Sequence, residues 1–266
     1  MLLSVLAVEL RKTGDARPAL QRWRELEPDN AASQLYAMLE TRGDAGDTEA
    51  REMLRGAARA TRYASHAWRS WTGIAYRILL NPRVDTPREE AAHIATGAAG
   101  LFILPSFIRR LEVCRVWASE SVEGIDVCDR VGDLMSDGDT ELERLLGNGV
   151  RRTMAERRGN NAAVERLKRQ REIRSARLSA IGTLTSRWLS DGNDAAFDRW
   201  FEDMLELGEG RANDRLLERE KITDDIALKL VARDNGTRSR CATLRSLKDR
   251  PVLPPRDQAY RNDQRG

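Results

Sequence analysis

The sequence predicts an all-α protein of antiparallel helical hairpins, and three observations carry that reading. Apolar residues recur at three- and four-residue intervals through most of the 266 residues, which is the periodicity of one helix face. No segment sustains the period-two alternation of β-branched residues that a half-buried strand needs. Charged residues make up 33% and hydrophobic residues 41%, a balance that suits long solvated helices better than a compact sheet protein.

The first stripe is Leu3, Leu6, Ala7 and Leu10, closed by Gly14-Asp15 as a glycine C-cap signal. The second is Ala16, Ala19, Leu20, Trp23 and Leu26, closed by Pro28-Asp29-Asn30. A weaker copy of this hairpin runs from Ala31 to Thr61. Leu35, Met38 and Leu39 lie in its first helix, Gly43-Asp44 at its turn, and Ala50, Met53, Leu54, Ala57 and Ala58 in its second helix. A third stripe follows, Trp68, Trp71, Ala75 and Ile78, ending at Asn81-Pro82.

The order Leu3-x2-Leu6-Ala7-x2-Leu10, Gly14, Ala19-x3-Trp23, Pro28 resembles the tetratricopeptide (TPR) repeat, W-x2-L-G-x2-Y, A-x3-F, P. The repeat is degenerate: Leu3 and Leu10 stand where aromatics are usual, Ala7 replaces glycine, and Pro28 arrives about one turn early. The resemblance covers residues 1–81, and the chain also looks similar to helical-repeat proteins of proteobacteria. It implies an α-solenoid start whose concave face binds a protein or peptide. The six tryptophans mostly fall on apolar stripes and read as core, with Trp68 and Trp71 the pair to inspect for exposure in a groove.

Residues 82–248 read as a continuing helical array. Thr86-Pro87-Arg88-Glu89 and Thr140-Glu141-Leu142-Glu143 are capping-box signals. Asn160-Asn161 opens a long stripe of Val164, Leu167, Leu178, Ile181, Leu184 and Trp188. Asp194 is the expected cap of the next helix, carrying Phe197, Trp200, Phe201, Met204 and Leu205. Residues 249–266 lack periodicity and are expected to be a mobile tail. Between Ala91 and Ile108 no residue is formally charged. His93, Thr96, Gly97, Gly100, Pro105 and Ser106 dilute that stretch, so a buried helix kinked at Pro105 is preferred, with membrane association as the alternative.

Charge is segregated. Glu120 to Leu145 holds nine acids against Arg130 and Arg144, a local balance of −7, whereas Arg151 to Arg187 holds eleven bases against three acids, a balance of +8. Adjacent acidic and basic helices can neutralise each other across an antiparallel hairpin. The rival reading makes Arg151, Arg152, Arg166, Lys168, Arg169, Arg171, Arg174 and Arg177 a face for an external anion, whether an acidic protein, nucleic acid or acidic lipid. Nucleic acid is disfavoured because no aromatic residue precedes Trp188 in that block.

Catalytic and metal chemistry find little footing. With Gly138 as the sixth residue of a calcium loop, Met135 and Arg144 would fall on ligand positions, so the carboxylates of that turn read as helix caps. His66 and His93 are the only histidines, and no HExxH, G-x-S-x-G or phosphate-binding glycine loop occurs. The expected protein is therefore a non-enzymatic scaffold without cofactor. The three cysteines, Cys114, Cys128 and Cys241, fit a reducing compartment and a cytoplasmic location. If the true start lies upstream and the protein is periplasmic, Cys114 and Cys128 can form one bridge between neighbouring helices.

Overall fold

The computed structural model describes residues 16–38, 48–79, 81, 83, 90, 91, 94 and 112–232, and these are helices joined by short turns. In chain order they are α1 (Arg17–Leu26), α2 (Ala31–Ala37), α3 (Thr48–Ala58), α4 (Ala67–Leu79), α5 (112–120), α6 (Val122–Ser136), α7 (Glu141–Arg157), α8 (Asn161–Ser190), α9 (Asp194–Leu207), α10 (Glu209–Arg219) and α11 (224–232). The all-α class is thus observed. The first stripe through Gly14, the Gly43-Asp44 turn, the Thr86 capping box, nearly all of 91–108 and the whole of 249–266 lie outside the described residues.

Local chemistry explains where helices begin. Pro18 in the first turn of α1 supplies a backbone already set for the helix. α1 buries Ala19, Leu20 and Trp23. Leu26, expected on the same face, is 56% exposed, because the helix ends at that residue and α2 packs beside the preceding turns. Asn30 caps α2 by accepting from the Ala32 N–H at 3.1 Å. Its amide also donates to the Ala64 carbonyl at 2.8 Å and accepts from the Ala64 N–H at 2.9 Å, tying the α1–α2 turn to the chain that leaves α3.

α2 packs on α3, α3 on α6, and α4 folds back on α9. In α4 the expected stripe is only partly right: Ile78 is 59% exposed, while Thr72 is buried and Tyr76 meets Phe201 with ring centroids 4.2 Å apart. A Tyr–Phe contact on α9 fixes the rotation of α4 and turns Ile78 outward. Trp68 and Trp71 fall within α4, but their side chains lie outside the described residues.

α6 and α7 form the tightest pair. Residue numbers run in opposite directions across it: Arg158 reaches Asp126, Arg151 reaches Asp133, and Asn148 meets Ser136. The pair is therefore antiparallel. Thr140 and Glu143 form the capping box read from the sequence, with Glu143 N–H donating to Thr140 Oγ1 at 3.1 Å and Thr140 N–H to Glu143 Oε2 at 3.0 Å. Arg144 Nε closes the turn on the Gly138 carbonyl at 2.9 Å. The segment is a helix–helix turn, as its reading as capping carboxylates expects.

α8 opens with Asn160, whose Oδ1 accepts from the Ala163 N–H at 3.0 Å. It buries Val164, Leu167, Ile181, Leu184 and Trp188. α9 is capped by Asn193, not by Asp194: the Asn193 side chain accepts from Ala196 N–H, and Asp194 sits in the first turn, favourable there to the helix dipole. Buried residues from Ala16 to Ala227 join in one core, with a smaller cluster of Ala155, Ala163, Val164 and Leu167 where α7 meets α8.

Candidate binding groove

α7 carries two adjoining apolar faces; the core consumes one fully and the other in part, since Leu142 and Leu146 still pack against it. Gly147, Val150 and Met154 are buried, and Val150 and Met154 also border the cavity formed beside them. Leu142, Leu145, Leu146, Gly149 and Thr153 are half-buried on the other face. With Cys114 and Arg115 of α5 and Arg171 and Ser175 of α8, that second face lines an apolar, solvent-open cavity of about 460 Å³. A Cβ on Gly149 would meet nothing within 4 Å, which places this glycine at open space.

A second cavity, about 600 Å³, adjoins the first along α8. It shares Arg152, Arg171 and Ser175 with the first, and Leu228, Val231 and Ala232 of α11 form its far wall. Arg171, Ser175 and Ser179 are spaced four apart and therefore share one face of α8. Together the cavities make a continuous trough with a mainly apolar floor and a basic rim of Arg115, Arg152, Lys168 and Arg171.

Much of the basic block is neutralised internally, but not wholly by the acids expected. Arg158 pairs with Asp126 and Asp129, and Arg151 with Asp133, as an antiparallel acidic–basic hairpin requires. Glu120 and Glu123 turn instead to Arg51 and Arg55 of α3. Arg177 takes Asp214 and Asp224 of α10 and α11, acids outside the 120–145 block. Arg174 lies 3.8 Å from Glu141. Among the described residues Arg152, Lys168 and Arg169 pair with acids of their own helices, Glu156, Glu165 and Glu172. Among the described residues no acid lies within ion-pair reach of Arg115, Arg166 or Arg171.

Of the sequence-predicted residues, Arg152, Lys168 and Arg171 thus meet at the trough. Arg166 and Arg169 stand on the solvent side of α8, and Arg151, Arg174 and Arg177 are committed to ion pairs. Sequence reasoning missed Arg115, the leucines of α7 and Gly149. Their signal was the apolar width of α7: Leu142, Leu145 and Leu146 beside Val150 and Met154 exceed one stripe. Cys114 and Cys128 are joined by a disulfide with Cα atoms 5.7 Å apart, which fastens α5, one wall of the trough, to α6.

A buried polar cluster holds the base of α7. Burial pushes the fully enclosed Glu143 carboxyl upward, opposed by the hydrogen bond it accepts from Thr140. Tyr63 Oη donates to its other oxygen at 3.3 Å. Burial likewise pushes Glu209 up to about 7, with the Glu141 and Glu143 carboxyls adding repulsion, while the Glu141 N–H donates to Glu209 Oε2 at 3.0 Å. Burial raises Glu141 and lowers Arg174 as well, each partly opposed by the other's charge. These groups fasten the N-termini of α7 and α10 to one another, and so set the angle at which α7 presents its second face.

Compared with family models, curated proteins and solved structures, the chain gives no match.

Proposed function

We propose that this chain is a non-enzymatic helical scaffold that binds a protein or peptide partner in the trough between α5, α7, α8 and α11. The observation that carries the reading is the half-buried apolar face of α7, which borders a solvent-open cavity. Contiguous exposed apolar surface in a water-soluble fold is costly, and where it is concave and rimmed by polar groups it marks a binding surface. The tetratricopeptide-like spacing of residues 3–28 supports the same use. The Cys114–Cys128 bond supports an oxidising compartment such as the periplasm over the cytoplasm.

Affinity capture from source lysate with the full chain, at low and high salt, tests this reading when it is run beside Gly149→Phe, which fills the trough. The expected result is a discrete protein held by the wild type and lost from Gly149→Phe. Recovery of nucleic acid in place of protein, or sedimentation with anionic vesicles that Gly149→Phe leaves intact, would transfer the function to the exposed bases of α8 or to a membrane.

A further inference from the structure

The geometry points to a negatively charged amphipathic helix of about three turns as the occupant of the trough. This inference rests on the peptide-binding reading and adds the chemistry of the partner. Lys168 to Ser179 spans eleven residue rises of α8, about 16 Å, which matches a docked helix of three turns with apolar anchors at i, i+4, i+7 and i+11. Leu142, Leu145 and Leu146 supply the floor for such anchors. Among the described residues no sheet edge exists to which an extended peptide could add a strand.

Charge selects the sign of the partner. Around the two cavities stand Arg115, Arg152, Lys168 and Arg171 against Glu172 alone, and Glu172 already accepts from Arg169 at 3.2 Å. Arg115 and Arg171 are exposed and have no acid within ion-pair reach among the described residues, which leaves them for glutamates flanking the apolar anchors. The chain's own C-terminal stretch is a poor candidate on the same ground: residues 233–266 carry nine bases against four acids. Complementary rim charge raises the association rate and rejects partners of the wrong sign.

A displayed library of random 16-residue peptides, selected on the full chain and counter-selected on Gly149→Phe, tests the assignment. Enriched peptides are expected to carry apolar residues at helical spacing with net negative charge. Their affinity should fall at least tenfold in Arg115→Glu/Arg171→Glu and weaken as salt rises. That double variant alters only exposed side chains, so it also serves if Gly149→Phe loses its helical circular dichroism. Enrichment of neutral or basic helices overturns the acidic assignment and leaves peptide binding standing. Peptides that bind wild type and both variants equally, or no enrichment, overturn both. Saturation of the trough by a fluorescent long-chain fatty acid, with no peptide competing, assigns it to an amphiphile and overturns the proposal.

Discussion

Gly147 of α7 lies against Gly132 of α6 so closely that a Cβ on Gly147 would stand 2.6 Å from the Gly132 carbonyl oxygen and the same distance from the Ser136 nitrogen. Backbone, not a flexible side-chain tip, occupies that space. The contact sets the spacing of the central hairpin, and through it the position of the trough on the adjoining face of α7.

Two glycines one dipeptide apart should therefore respond oppositely to alanine. Gly147→Ala forces α6 and α7 apart and is expected to cost about 1–3 kcal/mol, the usual range for overpacking. Gly149→Ala enters open space in a helix interior and is expected to gain about 0.5–1 kcal/mol. Urea denaturation of the three proteins checks both signs.

Glu209 should make stability fall as pH rises. Its carboxyl is pushed up to about 7, so between the unfolded carboxylate range near 4.5 and about 7 the folded chain holds a proton that the unfolded chain has released. Stability is then lost across that interval and is flat above it. Glu209→Gln cannot ionise and retains an acceptor for the Glu141 N–H. Its stability should match wild type at pH 4.5 and exceed it at pH 8, by a margin of about 1–3 kcal/mol.

The N-terminal hairpin should show the reverse dependence. Burial alone would raise the Glu27 carboxyl, but His66, Asn30 and Arg62 outweigh it and hold it at about 2. Its contribution is complete above pH 4.5 and is lost as pH falls towards 2. Glu27→Gln is expected to cost about 1–2 kcal/mol at pH 7 after allowance for solvent screening. The acid limb of a thermal-melt series should flatten in that variant.

Cys114–Cys128 closes a sequence separation of 14 residues, which in the chain-entropy model stabilises by about 3 kcal/mol. Thiol titration of the unfolded, unreduced protein should find one reactive cysteine, Cys241, and three after reduction. Reduction, or Cys114→Ser/Cys128→Ser, should lower the melting temperature. Three reactive thiols before reduction would remove both the bond and the argument for an oxidising compartment.

Helix ends were the most legible part of this fold because their signals are local. Thr140 and Glu143, and Asn160, act on backbone groups within a few residues. Asp194 was misread for Asn193 because adjacent Asn and Asp are both good caps, and the choice depends on which residue leaves the helical backbone region. Ile78 was misread because the rotation of α4 depends on Phe201, far along the chain. The same limit hid the trough: Leu142, Leu145 and Leu146 are visible as excess apolar width, but that α5, α8 and α11 leave this width partly uncovered is a property of packing. The acidic and basic blocks were legible as partners, yet Arg177 found Asp214 and Asp224 because α10 and α11 return beside α8.

Photocrosslinking from Ser175, an α8 residue shared by both halves of the trough, tests the central claim most directly. With a photoreactive residue at Ser175 and a control at Glu218 on the exposed side of α10, the full chain is irradiated in its source lysate. The expected result is a discrete protein adduct from Ser175 alone, abolished when Gly149→Phe is added. Adducts from Glu218 alone, or adducts from Ser175 that persist with the trough filled, would contradict it.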